Sequence, residues 1–130
     1  MRKGLALALA LLVTGVAVAA AAEPRRGLSH DVYFTLHESS EAKRAELAAA
    51  CRKYLGGYGG VLFFSVGVRA TELARPVNDL DFDVALHITF DGQASHDEYQ
   101  AAPRHKQFID EQQKNWKKVR VFDSLVEIGR

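Results

Sequence analysis

Tyr99-Gln100-Ala101-Ala102-Pro103-Arg104-His105-Lys106-Gln107-Phe108 is the stretch on which the fold of this chain turns. Proline lacks a backbone N–H and its ring clashes with the preceding turn, so Pro103 interrupts any helix that arrives through Tyr99. A second helix restarts there and is predicted to run to about Trp116, with Phe108, Ile109 and Trp116 as a narrow apolar stripe among polar residues. Upstream, Ser95 and Glu98 stand three apart, the spacing of a capping box, which predicts a helix start at Ser95. Two strand patterns bracket these helices. Phe82, Val84, Leu86, Ile88 and Phe90 alternate with Asp83, Ala85, His87 and Thr89, and Val119, Val121, Asp123 and Leu125 alternate after Lys117-Lys118.

Working outward, His30 to His37 also alternates, with His30, Val32, Phe34 and Leu36 on one side, and reads as a strand. Ser39 and Ser40 can cap a helix from Glu41 through Leu47, Cys51, Tyr54 and Leu55. Gly56-Gly57 ends it, because glycine accepts the left-handed conformation of a helix C-terminus. Val61 to Val68 is a second strand, and Asn78, Asp79 and Asp81 mark a loop before the third. The order is β-α-β-β-α-β, a ferredoxin-like α+β fold with a four-stranded antiparallel sheet and its helices on one face. The other face then needs a cover. Few residues of the second and third strands are charged, so the expected cover is a second copy of the chain. That homodimer, formed through the open sheet face, would close an α/β barrel.

The first residues have a different character. Arg2 and Lys3 precede Leu5 to Ala22, an uncharged run of mostly Ala, Leu and Val, and Ala20 and Ala22 fit an A-x-A cleavage site. Residues 1–22 are expected to be a signal peptide, so that the protein is exported to the periplasm or beyond and meets a membrane only through this segment. An uncleaved anchor is the alternative. Removing the first 22 of 130 residues leaves 108, enough for one core and not two. The segment holds two of the 17 basic residues, so 15 remain against 16 acidic ones and the net charge is −1. A near-neutral chain excludes a nucleic-acid partner of the usual basic kind. A single cysteine, Cys51, cannot form an internal disulfide and reads as a small buried residue of the first helix. No two histidines have the i, i+4 helical spacing and there is no cysteine pair, so no metal centre is expected. The sequence offers no haem signature, and no cofactor is expected.

The opening His30 and its strand, the Leu86-His87-Ile88-Thr89-Phe90 strand end, the helix carrying Tyr99, then Pro103, His105 and Phe108, and the closing Val119-Arg120-Val121-Phe122-Asp123 together resemble the stress-responsive A/B barrel, or Dabb, domain family. The resemblance covers about His30 to Leu125 and suggests a domain over 28–127. It implies a dimeric ferredoxin-like barrel. A few members, olivetolic acid cyclase among them, close polyketide chains by an aldol-type reaction with a histidine and a tyrosine. By similarity those roles would fall on His105 and Tyr99, with His30 as a further pocket histidine. Val84 stands where members often carry a histidine, and Ala102 where one commonly precedes the proline. The resemblance thus places His30, Phe108 and Val84 against a ligand in a pocket poor in polar groups.

Aldol chemistry needs a base to take a proton beside a carbonyl and a donor for the oxyanion that develops. Histidine suits the first task, its ordinary pKa lying near neutrality, and a tyrosine hydroxyl suits the second. Tyr99 and His105 are six residues apart and converge only if the break at Pro103 turns the chain. Otherwise both are structural. His37 and His87 fall opposite the long apolar rows, and His96, inside the capping box, is expected in solvent. The expected function is an exported stress-related homodimer that holds a small apolar ligand without acting on it. The alternative is a cofactor-independent, polyketide-cyclase-like enzyme.

Overall fold

A computed structural model describes residues 23–129 of the 130. The predicted signal segment lies outside the described residues. Strand β1 (Arg25–Leu36) leads into helix α1 (Glu41–Leu55), followed by β2 (Val61–Val68), β3 (Val84–Phe90), α2 (Gln93–Ala101), α3 (Pro103–Gln112), a 3₁₀ turn (Gln113–Asn115) and β4 (Trp116–Ile128). The strands form one sheet in the order β2-β3-β1-β4, every pair antiparallel. This is the ferredoxin-like α+β arrangement read from the sequence.

Period two sets the faces. Val32, Phe34 and Leu36 of β1 and Leu86, Ile88 and Phe90 of β3 turn to one side and are buried against Leu47, Cys51 and Leu55 of α1, Tyr99 of α2 and Phe108 of α3. Burying an aromatic or branched side chain of this kind stabilises the fold by about 1.5–3 kcal/mol each. Cys51 lies wholly inside, and burial pushes its thiol pKa up to about 12, which keeps it protonated and unreactive. The α1 termini follow the sequence: the Ser40 hydroxyl accepts the Lys43 N–H at 3.2 Å, and Gly57 takes a φ of +75° just beyond the end.

Other boundaries differ from the reading. β1 begins at Arg25 rather than His30, because β4 runs on to Ile128 and supplies partners for those residues. β3 begins at Val84 rather than Phe82, because the chain bends at Asp83, whose backbone still bonds Phe34 and Arg69 while its carboxylate accepts bonds from the β1–α1 junction. The Ser95–Glu98 capping box does not form. α2 starts at Gln93 with Gly92 as its N-cap, and the Ser95 hydroxyl donates to the Asp91 carboxylate at 2.6 Å. Trp116 opens β4 instead of closing α3, because its backbone pairs with Leu36.

On the helix-free face of the sheet, Tyr33 stands edge-on to Phe82, His87 and Phe122. The His87 ring and the Asp31 carboxylate meet at 2.6 Å beside it. Phe63 and Phe122 of this face are 56% and 51% exposed, a degree of exposure unusual for phenylalanine.

Candidate functional site

The residues that sequence patterning singled out meet beneath α2 and α3. Ala102, at φ −63° and ψ 139°, is extended, so α2 ends there and Pro103 occupies the first turn of α3, where its missing N–H costs nothing. The bend carries His105 back over the end of α2. Its ring centroid lies 4.7 Å from that of Tyr99, at an interplanar angle of 66°. Tyr99 is 1% exposed, clamped edge-on by Tyr58 and packed on Phe90.

Both residues line a cavity of about 200 Å³ between these helices and the sheet, together with His30, Phe108, Trp116 and Val121. Val84 does not reach it. That side chain is fully buried near the start of β3, paired with Phe34, in the core rather than on the cavity wall. Two buried polar atoms of the lining residues, His105 Nδ1 and Trp116 Nε1, have no hydrogen-bond partner among the described residues. Buried polar groups are rarely left so, since each costs about 1–3 kcal/mol unpaired.

Electrostatics assign protonation states to the pair. Burial, then the neighbouring His30 and His96, lower the His105 pKa from 6.5, so the imidazole is held neutral. Burial raises the Tyr99 pKa well above its ordinary value, so its hydroxyl stays protonated and able to donate.

Beyond His30 the site continues in residues that the sequence reading left aside. His30 and Asp123 face each other across the β1–β4 pairing, and His30 Nδ1 lies 2.6 Å from the Asp123 carboxylate. The signal was present in the sequence as a lone carboxylate in the apolar row Val119, Val121, Leu125. His96 was expected in solvent. Its side chain is instead 12% exposed and its ring centroid lies 5.1 Å from that of His30, because α2 starts two residues early and turns His96 inward.

With this geometry in place, comparison with known proteins is direct. The model of the stress responsive A/B barrel domain matches residues 28–126, nearly all of the described chain. The chain belongs to the stress-responsive A/B barrel domain family. No curated protein matches it. Among solved structures, a Dabb family protein with a ferredoxin-like fold from Mesorhizobium loti is 23% identical, with a TM-score of 0.64 over 80% of this chain and 99% of that one. A dimeric ferredoxin-like protein of unknown function from Thermobifida fusca is 17% identical, with a TM-score of 0.65 over 78% and 92%. The hydroxynitrile lyase of Passiflora edulis is 17% identical, with a TM-score of 0.64 over 82% and 99%. At these identities the likeness carries the fold alone.

Proposed function

We propose that this domain binds a compact, mainly apolar molecule bearing a carbonyl or hydroxyl group in the cavity under α2 and α3. The observation that carries the reading is the pair of unpartnered polar atoms, His105 Nδ1 and Trp116 Nε1, on residues of an otherwise mostly apolar wall. At about 200 Å³ the space is below the ~300–1,000 Å³ of drug-sized pockets, which favours a ligand smaller than an extended polyketide chain. Nuclear magnetic resonance titration with small aldehydes and ketones, each beside the hydrocarbon of the same shape, tests it. Carbonyl compounds should bind at least about tenfold tighter, a difference of about 1.4 kcal/mol, and His105→Leu and Trp116→Phe should each reduce that preference. Equal binding of the hydrocarbons, or no binding at millimolar concentration, would overturn the reading.

A second reading is favoured by one observation, the contact of a neutral His105 with a protonated Tyr99. In it, the imidazole takes a proton from carbon beside a carbonyl, the enolate attacks a second carbonyl, and the Tyr99 hydroxyl donates to the alkoxide that forms. The cyclase-like action expected from sequence is one version. Cleavage or formation of a carbon–carbon bond at a small hydroxylated carbon is another, and the Passiflora edulis lyase of the same fold makes it worth assaying. β-Polyketo compounds, β-hydroxycarbonyls and cyanohydrins should be screened with the wild type, His105→Ala and Tyr99→Phe. Turnover unaffected by both variants, or none above free imidazole, rules it out.

The working unit in this proposal is an exported homodimer whose two open sheet faces cover one another. Exposed Phe63 and Phe122 and the dimers described among fold neighbours support the pairing. The apolar Leu5–Ala22 run supports export. Light scattering that gives only monomer at micromolar concentration, or an intact N-terminus on cytoplasmic protein, would refute the respective parts.

A further inference from the structure

His30, His96 and Asp123 come from β1, α2 and β4, and no local spacing relates them. One candidate ligand atom from each lies within 4.8 Å of those of the other two, the only such group among the described residues. We propose that these three side chains bind a first-row divalent cation, Zn²⁺ foremost, at the His30 end of the cavity. The inference is independent of the ligand assigned above.

The donor set selects the class of ion. Two imidazoles and one carboxylate suit Zn²⁺, Fe²⁺ or Co²⁺ rather than Mg²⁺ or Ca²⁺, which prefer all-oxygen shells. Zinc bonds of about 2.0–2.2 Å place tetrahedral ligand atoms about 3.4 Å apart, so ligand atoms now up to 4.8 Å apart close by up to about 1.4 Å, while the 2.6 Å contact of His30 Nδ1 with Asp123 opens to admit the ion. Asp123 can supply that movement. Its side chain is 47% exposed, whereas His30 is 5% exposed and fixed beneath it. The same exposure gives the ion a way in. His30 rests between Phe90 and Tyr99, so its ring direction is set before any ion arrives.

The surroundings fit as well. Asp97 Oδ1 lies 3.3 Å from His96 Nδ1, where an outer carboxylate would leave Nε2 with the lone pair, and the Gln100 amide nitrogen that now faces Nε2 at 3.4 Å would give way to the ion. The described histidines His37 and His87 lie elsewhere, and His87 has its own partner in Asp31. Three protein ligands leave at least one coordination position for water or another small molecule, the pattern of working rather than purely structural zinc sites. Because His30 both lines the cavity and belongs to the triad, an oxygen of the cavity's ligand could take that position.

The test is calorimetric titration of the untagged protein with Zn²⁺, paired with the visible spectrum of the Co²⁺ form. One Zn²⁺ per chain is expected, with a dissociation constant at or below about 1 µM, and Co²⁺ should show the intense bands of a low-coordinate site. His96→Ala and Asp123→Asn should each weaken binding at least about tenfold, while His87→Ala should leave it unchanged. If His96→Ala alters the circular dichroism spectrum, His96→Gln replaces it. Wild-type binding weaker than about 1 µM would overturn the proposal, with the three residues then serving only as a hydrogen-bonded cluster. So would equal affinity in the His96 and Asp123 variants, or a loss in His87→Ala as large as theirs.

Discussion

Asp83→Ala is the substitution whose cost can be worked most directly from the structure. Asp83 is 3% exposed where β3 begins, beside the passage from β1 to α1. One carboxylate oxygen accepts the Leu36 N–H at 2.8 Å, and the other accepts the Ser39 hydroxyl. Arg44 lies 4.0 Å away and also bonds the Ser39 backbone carbonyl. Hydrogen bonds to an ionised acceptor contribute about 1.5–3 kcal/mol each, so the two together are worth about 3–6 kcal/mol. Removing a buried carboxylate also removes its desolvation penalty, which offsets part of this. Leu36, itself buried, would keep an N–H with no acceptor. The expected loss is therefore about 3–4 kcal/mol, a large share of the ~5–15 kcal/mol that holds a domain of this kind. Asp83→Asn retains an oxygen for Leu36 and should lose about half as much. Urea unfolding followed by circular dichroism, at one fixed protein concentration because assembly shifts the midpoint, measures both. Asp83→Ala within about 1 kcal/mol of wild type, or Asp83→Asn as costly as Asp83→Ala, would refute the reasoning.

The lowered pKa of His105 makes stability depend on pH in a stated direction. Between its folded value and the ordinary 6.5 the unfolded chain binds the extra proton, so stability falls as pH drops below about 6.5, and His105→Phe should flatten that fall. A His105 ring titrating at or above 6.5 in a nuclear magnetic resonance series would contradict it. Gly60 has φ +73°, and a Cβ there would meet Ser95 Oγ at 2.0 Å and Asp91 Oδ1 at 2.7 Å. Gly60→Ala should cost about 2–4 kcal/mol by strain and crowding, and Gly59→Ala, with open space around it, within about 1 kcal/mol in the same urea assay. The Phe122 ring stands 5.8 Å from that of Tyr33 on the open face, and Phe122→Glu, which puts a charge there, should shift light scattering from dimer to folded monomer. An unchanged dimer would show that the face does not pair.

Much of the fold was legible because its signals are local. A period of two buries one face of a strand, and the β1 and β3 rows obey it, whereas the β4 row Val119, Val121 and Leu125 stays largely exposed at the edge of the sheet. Pro103 broke the helix where it had to, since no neighbouring contact can restore a missing N–H. Misread boundaries lay where a tertiary partner outweighed a local preference. Ser95 found Asp91 instead of its own helix N-terminus, and Trp116 found Leu36 as a strand partner. The site was legible in part. Tyr99, His105, His30 and Phe108 line one cavity, whereas Val84, chosen by position in a family pattern, points into the core.

By itself, then, the sequence determined the order of elements, the buried faces of β1 and β3, the Ser40 cap of α1 and the turn at Pro103, because alternation, capping and proline geometry act over a few residues. Tertiary structure decided how far apart the histidines stand and what each one faces. His30, His96 and Asp123 are separated by 66 and 27 residues along the chain, yet the β1–β4 register and the inward turn of α2 place their ligand atoms within 4.8 Å. No periodicity encodes that distance. It arises only when three elements pack on one sheet, so the side chains nearest to chemistry were the last to be readable.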